Sequence, residues 1–294
     1  MEQDDLEIIK EIAIPETISE FDTQVSTAKR FPRIVTRCIE NATAIVSMDE
    51  QTAKTCGYMI PRGGKQITGP SVHLARIMAQ TWGNMRVSQS VVGEEEKYVI
   101  CEAVAWDLET NMAVKTTLKR KILDSKGKRY NDDMIQVTGN AAMAIAFRNA
   151  VFAVIPKGAW QNVYDASLRK ITGNINTEDK IIAKRKELLQ SIEKLGATEK
   201  QVLAFFGFRT ITQIRVEEIV KLIQLEQAIK DGEVTIDSIF PVDDTVSKNK
   251  LADIINKKTQ QPEGDKVPET EKKVEPAITD DQNKNPQEPS LPLR

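Results

Sequence analysis

The clearest β pattern of the chain lies in residues 84–123, and it constrains the fold more than any other segment. It divides into three strands, 84–92, 97–107 and 112–123, which are separated by two connections of hairpin length. Consecutive strands joined by short connections pair with their sequence neighbours. The segment therefore predicts an antiparallel three-stranded meander.

A long apolar helix is predicted directly after this sheet. Residues 133–155 are apolar almost all round, with many alanines, and the segment ends before Pro156. A helix of this kind is buried on several sides, here against the sheet and against another layer or subunit. The fold class is therefore α+β, an antiparallel three-stranded β-meander packed on a long apolar helix, with an extra N-terminal hairpin and helices and a small C-terminal helical module.

The chain divides into four zones by composition and pattern. Residues 1–20 form a polar lead-in, 21–172 the main domain, 177–241 the helical module, and 242–294 a tail rich in Pro, Gln, Asn and charge. In the module, Thr198 with Gln201 is a candidate capping box, and Gly232 can end a helix. The tail is expected to be disordered because its apolar residues are too sparse to offset ordering entropy. A short amphipathic piece at 251–256 can fold on a partner.

Overall composition excludes several classes of protein. The 41 Lys and Arg residues nearly balance 43 Asp and Glu, so any basic surface must be local. Three cysteines without a CxxC pair favour neither a disulfide framework nor a zinc site, and they fit a reducing cytoplasm. The acidic N-terminus does not resemble a signal peptide. The apolar stretch at 141–155 is interrupted by Arg148 and Asn149, which argues against a membrane span.

A concentrated basic patch lies at residues 115–130, which contain seven cations and one anion, Asp124, a local net charge of +6. Side chains alternate faces along a strand, so Lys115, Lys119 and Lys121 are predicted to share one face. Lysines in a row suit a phosphate track, because each neutralised phosphate releases counterions. A solvated lysine-rich strand that blocks aggregation is the equally weighted alternative. The neighbouring Lys128 and Arg129 extend the patch, and Tyr130 beside them is the best candidate for base stacking.

Two further cationic positions lie outside this patch. Arg62 and Lys65 flank two glycines, which let backbone amides approach an anion, although an ordinary hairpin turn is the favoured interpretation. The loop is not a Walker A motif, because Gln66 follows Lys65. Arg148 within the apolar helix either forms a buried salt bridge, the commoner case, or holds a phosphate at a groove. A second basic cluster, for which a solvated helix face is slightly favoured, consists of Lys29, Arg30, Arg33 and Arg37.

Catalytic constellations are absent from the sequence pattern. His73 is the single histidine, so no nucleophile–histidine arrangement is supported, and a structural role is favoured. Asp132 and Asp133 either bind Mg²⁺ or, more commonly, are charges at a helix N-terminus. Core packing is the favoured role of Trp82, Trp106 and Tyr98. We therefore predict no catalytic residues, no metal site and no cofactor.

The order of these elements resembles the RecT/Redβ group of phage single-strand annealing proteins. The likeness is carried by residues 57–67, which read Gly-Tyr-Met-Ile-Pro-Arg-Gly-Gly-Lys-Gln-Ile, by their continuation to Gly83, and by the helix at 133–156. The β-β-β-α core is also shared by ERF-type phage proteins, and the resemblance covers residues 25–165. The sheet is less aromatic than that of RecT, so base stacking is expected to contribute less than in that group.

The resemblance implies a non-enzymatic protein that binds and anneals single-stranded DNA without ATP in phage recombination. It implies a homo-oligomer, ring or helical filament, with a continuous positive groove, in the bacterial host cytoplasm. The module and tail would recruit a phage exonuclease or a host single-strand-binding protein. Alternatives are a single-strand binder without annealing activity, a Mg²⁺-dependent nuclease and a non-DNA assembly protein. A phosphate-contact role carries over to Lys65, Arg148, Lys115, Lys119 and Lys121.

Overall fold

A computed structural model describes residues 20–124 and 126–240 of the 294-residue chain. The predicted tail, its amphipathic piece at 251–256 and nearly all of the lead-in lie outside these residues. In chain order the elements are a helix at residues 20–30 (α1), α2 (Val35–Met48), α3 (Glu50–Thr55), β1 (Gly57–Arg62), β2 (Lys65–Pro70), α4 (Val72–Trp82), β3 (Met85–Glu95), β4 (Tyr98–Asp107), β5 (Met112–Lys121), α5 (Asp132–Val154), α6 (Lys157–Gly173), α7 (Glu178–Lys194), α8 (Glu199–Phe206), a 3₁₀ turn (Ile211–Gln213), α9 (Val216–Lys230) and α10 (Ile236–Ile239).

The α+β class predicted from the sequence is confirmed. Strands β3, β4 and β5 form an antiparallel sheet in that order, and α5 packs against it. Every second residue of β4 is buried beneath α5, and the helix meets this face with alanines such as Ala142 and Ala146, which are fully buried. β3 extends to Glu95, further than predicted, because a bulge between Val91 and Gly93 shifts the register without ending the pairing.

The N-terminal hairpin is also confirmed. β1 and β2 pair antiparallel, with Arg62 opposite Lys65 at the tip. Between them Gly63 and Gly64 both have positive φ, 58° and 73°, as a type I′ turn requires. The chain then enters α4, where the Ser71 side chain accepts hydrogen bonds from two backbone amides of the first turn.

Helices α1 and α2 are separated at Pro32, whose ring removes a backbone donor and prevents a continuous helix. The segment between them is held to the sheet by Arg33, whose guanidinium binds Asp107 at 2.5 and 2.6 Å and Glu109 at 2.9 Å. The Arg33 and Asp107 side chains are only 6% and 5% exposed. Arg33 is therefore a buried structural residue of this junction. It does not belong to an exposed basic cluster with Lys29, Arg30 and Arg37.

The C-terminal helices form a second hydrophobic cluster. The capping box of Thr198 and Gln201 is present at α8, and Gly232 follows the end of α9 with φ of 69°. Ile219 and Leu222 of α9 pack in one cluster with Met59 of β1. Helices 178–239 are thus packed on the N-terminal hairpin, and the described residues fall within one compact unit.

Helix α5 is the one described helix that is long and apolar enough to cross a membrane, by length and composition alone. Half of its most apolar window is buried inside the protein, where it contacts β3, β4, β5 and α4. This packing is that of the core helix of a soluble-type α+β fold.

An ion-pair network joins α3 to α7 and makes stability depend on pH. Glu50 accepts hydrogen bonds from Lys184 and Asn174, each at 2.9 Å, and pairs with Lys54 at 2.9 Å. Burial alone would raise the pKa of Glu50, but the bonds from Lys184, Lys54 and Asn174 outweigh it and lower the pKa from 4.5 to about 2. The stabilisation is therefore complete above pH 4.5 and is lost as the pH falls towards 2.

We expect Glu50→Gln to lose stability at neutral pH and to flatten the decline of the unfolding free energy between pH 4.5 and 2. Urea unfolding at several pH values measures both effects. Glu40→Gln, at an exposed position on α2, is the matched control and should retain the wild-type pH profile. An equally steep decline in the Glu50 variant would contradict the assignment.

Candidate nucleic-acid interface

The side of the sheet turned away from α5 is called here the open face. Cross-strand partners share a face, so the strand register defines its members. They are Arg86, Ser88, Ser90 and Glu95 of β3, Tyr98, Ile100, Glu102, Val104 and Trp106 of β4, and Ala113, Lys115, Thr117, Lys119 and Lys121 of β5. Helix α1 covers one end, where Phe21 contacts both the Trp106 ring and the Arg86 guanidinium.

The three predicted lysines lie together on this open face. Lys115 and Lys119 are 59% and 54% exposed, and Lys121 is exposed as well. Two of them have acidic neighbours, because Lys115 pairs with Glu102 at 2.7 Å and Lys119 with Glu95 at 2.5 Å. Exposed ion pairs of this kind contribute little to stability, so a phosphate can compete with the carboxylate.

The carboxylate of Glu102 partly neutralises the positive charge of the lysines on the open face. A hydrogen bond from Lys115 lowers the pKa of Glu102, and the Thr117 hydroxyl also donates to its carboxylate. The carboxylate therefore remains charged at neutral pH and weakens the positive potential of the stripe. The open face is mildly cationic, and its net charge is smaller than the local sequence count of +6 indicates.

The other cations of residues 115–130 are divided among three surroundings. Arg120 turns to the opposite side of β5, where its guanidinium donates to the backbone carbonyls of Gly232 and Glu233. Arg129 pairs with Glu94 and also donates to the Glu96 carbonyl. Lys128 is exposed, and the structure shows no ion pair for it with any described residue. Of Lys128 and Arg129, which were both predicted to contact DNA, Lys128 is thus the one whose charge is available to a phosphate.

Tyr130 is half-buried, and its side chain packs against a cluster that includes Val99, Ile122 and Ala142. Only part of its ring is therefore exposed to a base, because the chain after β5 folds back towards the sheet through the Leu123–Arg129 bridge. The stacking role of Tyr130 stays a prediction. Tyr98, which was assigned to the core, is instead 38% exposed on the open face.

Arg148 forms the buried salt bridge that was one of the two roles predicted for it. It is 8% exposed, its Nη1 lies 2.6 Å from the Glu233 carboxylate, and its guanidinium lies 4.2 Å above the Tyr58 ring. A buried and paired arginine is not available to a phosphate. The phosphate-contact role carried over to Arg148 is therefore not supported by its surroundings.

Arg62 and Lys65 lie at the tip of the β1–β2 hairpin and not on the sheet. Both are exposed, and neither forms an ion pair within residues 20–124 or 126–240. They form a small cationic surface that is separate from the open face. The structure therefore separates the nine predicted residues into the open face, the hairpin tip, the segment after β5 and the core.

The sequence analysis overlooked an exposed aromatic residue. Phe31 is 64% exposed and lies beside Arg30, whose guanidinium is 5.5 Å from the ring centroid. The available signal was the Phe-Pro pair between two helices, flanked by cations. His73, by contrast, has the structural surroundings predicted for it, with Nε2 2.9 Å from Asp231 and 3.2 Å from Gln227.

The acidic pair at the start of α5 has the geometry of helix-terminal charges. Asp132 and Asp133 occupy the first turn, and Asn131 is the cap, with its side chain accepting from the Met134 amide at 2.9 Å. No group of three potential metal ligands occurs among the residues that the structure describes.

Comparison of the chain with protein-family models, curated proteins and solved structures finds no match.

Proposed function

We propose that this chain binds single-stranded DNA and promotes the annealing of complementary strands without ATP, as a phage-type recombination protein. The observation that carries the proposal is the open face of the sheet, where Lys115, Lys119 and Lys121 project together from one exposed strand. In line with the resemblance, the protein acts in the host cytoplasm as a ring or helical filament. A phage exonuclease or a host single-strand-binding protein is the proposed partner.

The chemistry of the open face suits loose and sequence-independent contact. Lysines neutralise phosphates, and the exposed hydroxyl groups of Ser88 and Ser90 lie on the same face. The competing carboxylates of Glu95 and Glu102 keep each contact weak. Weak contacts along a strand lower the repulsion between two polyanions and still allow rearrangement, while base pairing supplies the specificity.

The decisive experiment mixes two complementary labelled oligonucleotides without nucleotide cofactor and follows pairing by energy transfer. The proposal expects pairing that is faster than in the protein-free control. Binding without acceleration would identify a single-strand binder or replication accessory protein. DNA shortened in the presence of Mg²⁺ would identify a nuclease using Asp132 and Asp133, and no affinity at low salt would leave an assembly protein.

A further inference from the structure

An exposed aromatic and cationic surface lies at the rim of the sheet, outside the open face. We call it the Phe31 patch, and it consists of Lys29, Arg30, Phe31, Ile34, Val35 and Arg37. Phe31, Ile34 and Val35 are 64%, 61% and 46% exposed. Among the described aromatic residues, only Phe31 and Tyr98 are exposed, and Phe31 is the more exposed of the two.

The backbone beneath this exposed ring is held firmly. The Phe31 amide donates to the Thr27 carbonyl at 2.9 Å, and the Phe31 carbonyl accepts from the Asn84 side chain at 2.8 Å. Two residues later, buried Arg33 is bound to Asp107 and Glu109. The ring is thus presented on a fixed support, so little conformational entropy is lost when a flat ligand stacks on it.

The charge around the ring favours an anionic ligand. Lys29, Arg30 and Arg37 are exposed, and none of them forms an ion pair within the described part of the chain. No acidic residue occurs between residues 29 and 39. Unlike Lys115 and Lys119 on the open face, these cations have no carboxylate partner among residues 20–124 and 126–240.

We infer that Phe31 is a stacking platform for a base of single-stranded nucleic acid, with the cations of the patch binding the adjacent phosphates. This inference rests on the proposed function and adds to it the contact with the base. Phe31 lies at the end of the sheet where Asp107, which anchors Arg33, ends β4 and β5 begins. Helix α1 covers the open face at this end, where Phe21 contacts Trp106, so a bound strand must pass around α1 to contact both the lysines and Phe31.

The test compares an oligothymidylate with an abasic oligonucleotide of equal length, which has the same phosphates and no bases. We expect Phe31→Ala to bind the oligothymidylate about tenfold more weakly, which corresponds to about 1.4 kcal/mol, and the abasic strand unchanged. Phe31→Leu, which keeps an apolar side chain, should lose the same affinity. Phe31→Trp should restore it and add tryptophan fluorescence that the oligothymidylate quenches and the abasic strand does not.

Met48→Ala is the matched control, since Met48 is a 74% exposed apolar residue at the far end of α2. It should bind both oligonucleotides like the unaltered protein. Wild-type affinity in Phe31→Ala would overturn the stacking role and leave the proposed function standing, as would equal weakening for both oligonucleotides. Full affinity in Phe31→Leu would also overturn it, because an apolar side chain without an aromatic ring would then be sufficient. Failure of the unaltered protein to bind either strand would refute the proposed function as well.

Discussion

Replacing Glu233 by alanine should lower the free energy of unfolding by about 3–5 kcal/mol, because it leaves the buried charge of Arg148 without its carboxylate partner. The Arg148 and Glu233 side chains are 9% and 4% exposed, and their closest atoms lie 2.6 Å apart. Solvent therefore cannot replace the lost carboxylate. Urea unfolding followed by circular dichroism measures the change.

An exposed ion pair provides the matched control for this result. Glu217→Ala removes a 2.7 Å contact with Lys221, but the Glu217 side chain is 75% exposed, so the expected loss of stability is small. The double substitution Arg148→Met with Glu233→Leu should recover much of the stability, since no unpaired charge remains. A loss in Glu233→Ala no larger than that of the control would show that Arg148 has another partner or reaches solvent.

Replacing Lys115, Lys119 and Lys121 together by alanine should make DNA binding less sensitive to salt. The logarithmic dependence of affinity on salt changes by about 0.7 per phosphate contact in single strands, so the loss of three contacts reduces the slope by about 2. The three side chains are exposed, so the unfolding free energy should change by less than about 1.5 kcal/mol in total. Fluorescence anisotropy with a labelled oligonucleotide across a salt series measures the slope.

Two further variants determine whether the position of these charges matters. Alanine at Lys180, Lys194 and Lys200 removes the same charge from exposed positions on α7 and α8 and should leave the slope unchanged. Glutamine at Glu95 and Glu102 frees Lys119 and Lys115 from their carboxylate partners and should tighten binding. Equal slopes in the lysine variant and the unaltered protein would remove the open face from the site.

Local pattern was sufficient to predict the three strands of the sheet, the long helix that follows them and the faces of the sheet. The two-residue period of β5 placed Lys115 and Lys119 on one side and Arg120 on the other, and the structure has this arrangement. Helix ends were also predictable, because Ser71 and Thr198 hydrogen-bond to amides within their own first turns. Information of this kind lies within a few residues of the position that it describes.

Partners from distant parts of the chain could not be predicted in this way. Arg148 and Glu233 are separated by 85 residues, and Arg33 and Asp107 by 74, so no local spacing connects them. The same limitation hid the burial of Tyr130 and the exposure of Phe31. Each depends on how one segment is folded back or anchored by another.

The dimensions of β5 limit how much of a nucleic acid one chain can cover. Lys115 and Lys121 are six residues apart, which corresponds to about 20 Å at the rise of an antiparallel strand. Phosphates in one strand of B-form DNA follow one another at about 3.4 Å along the helix axis, and an extended single strand spaces them further apart, so this length matches at most about six nucleotides. The footprint of a single copy is therefore short, so the length of strand that is covered depends on how many copies bind side by side.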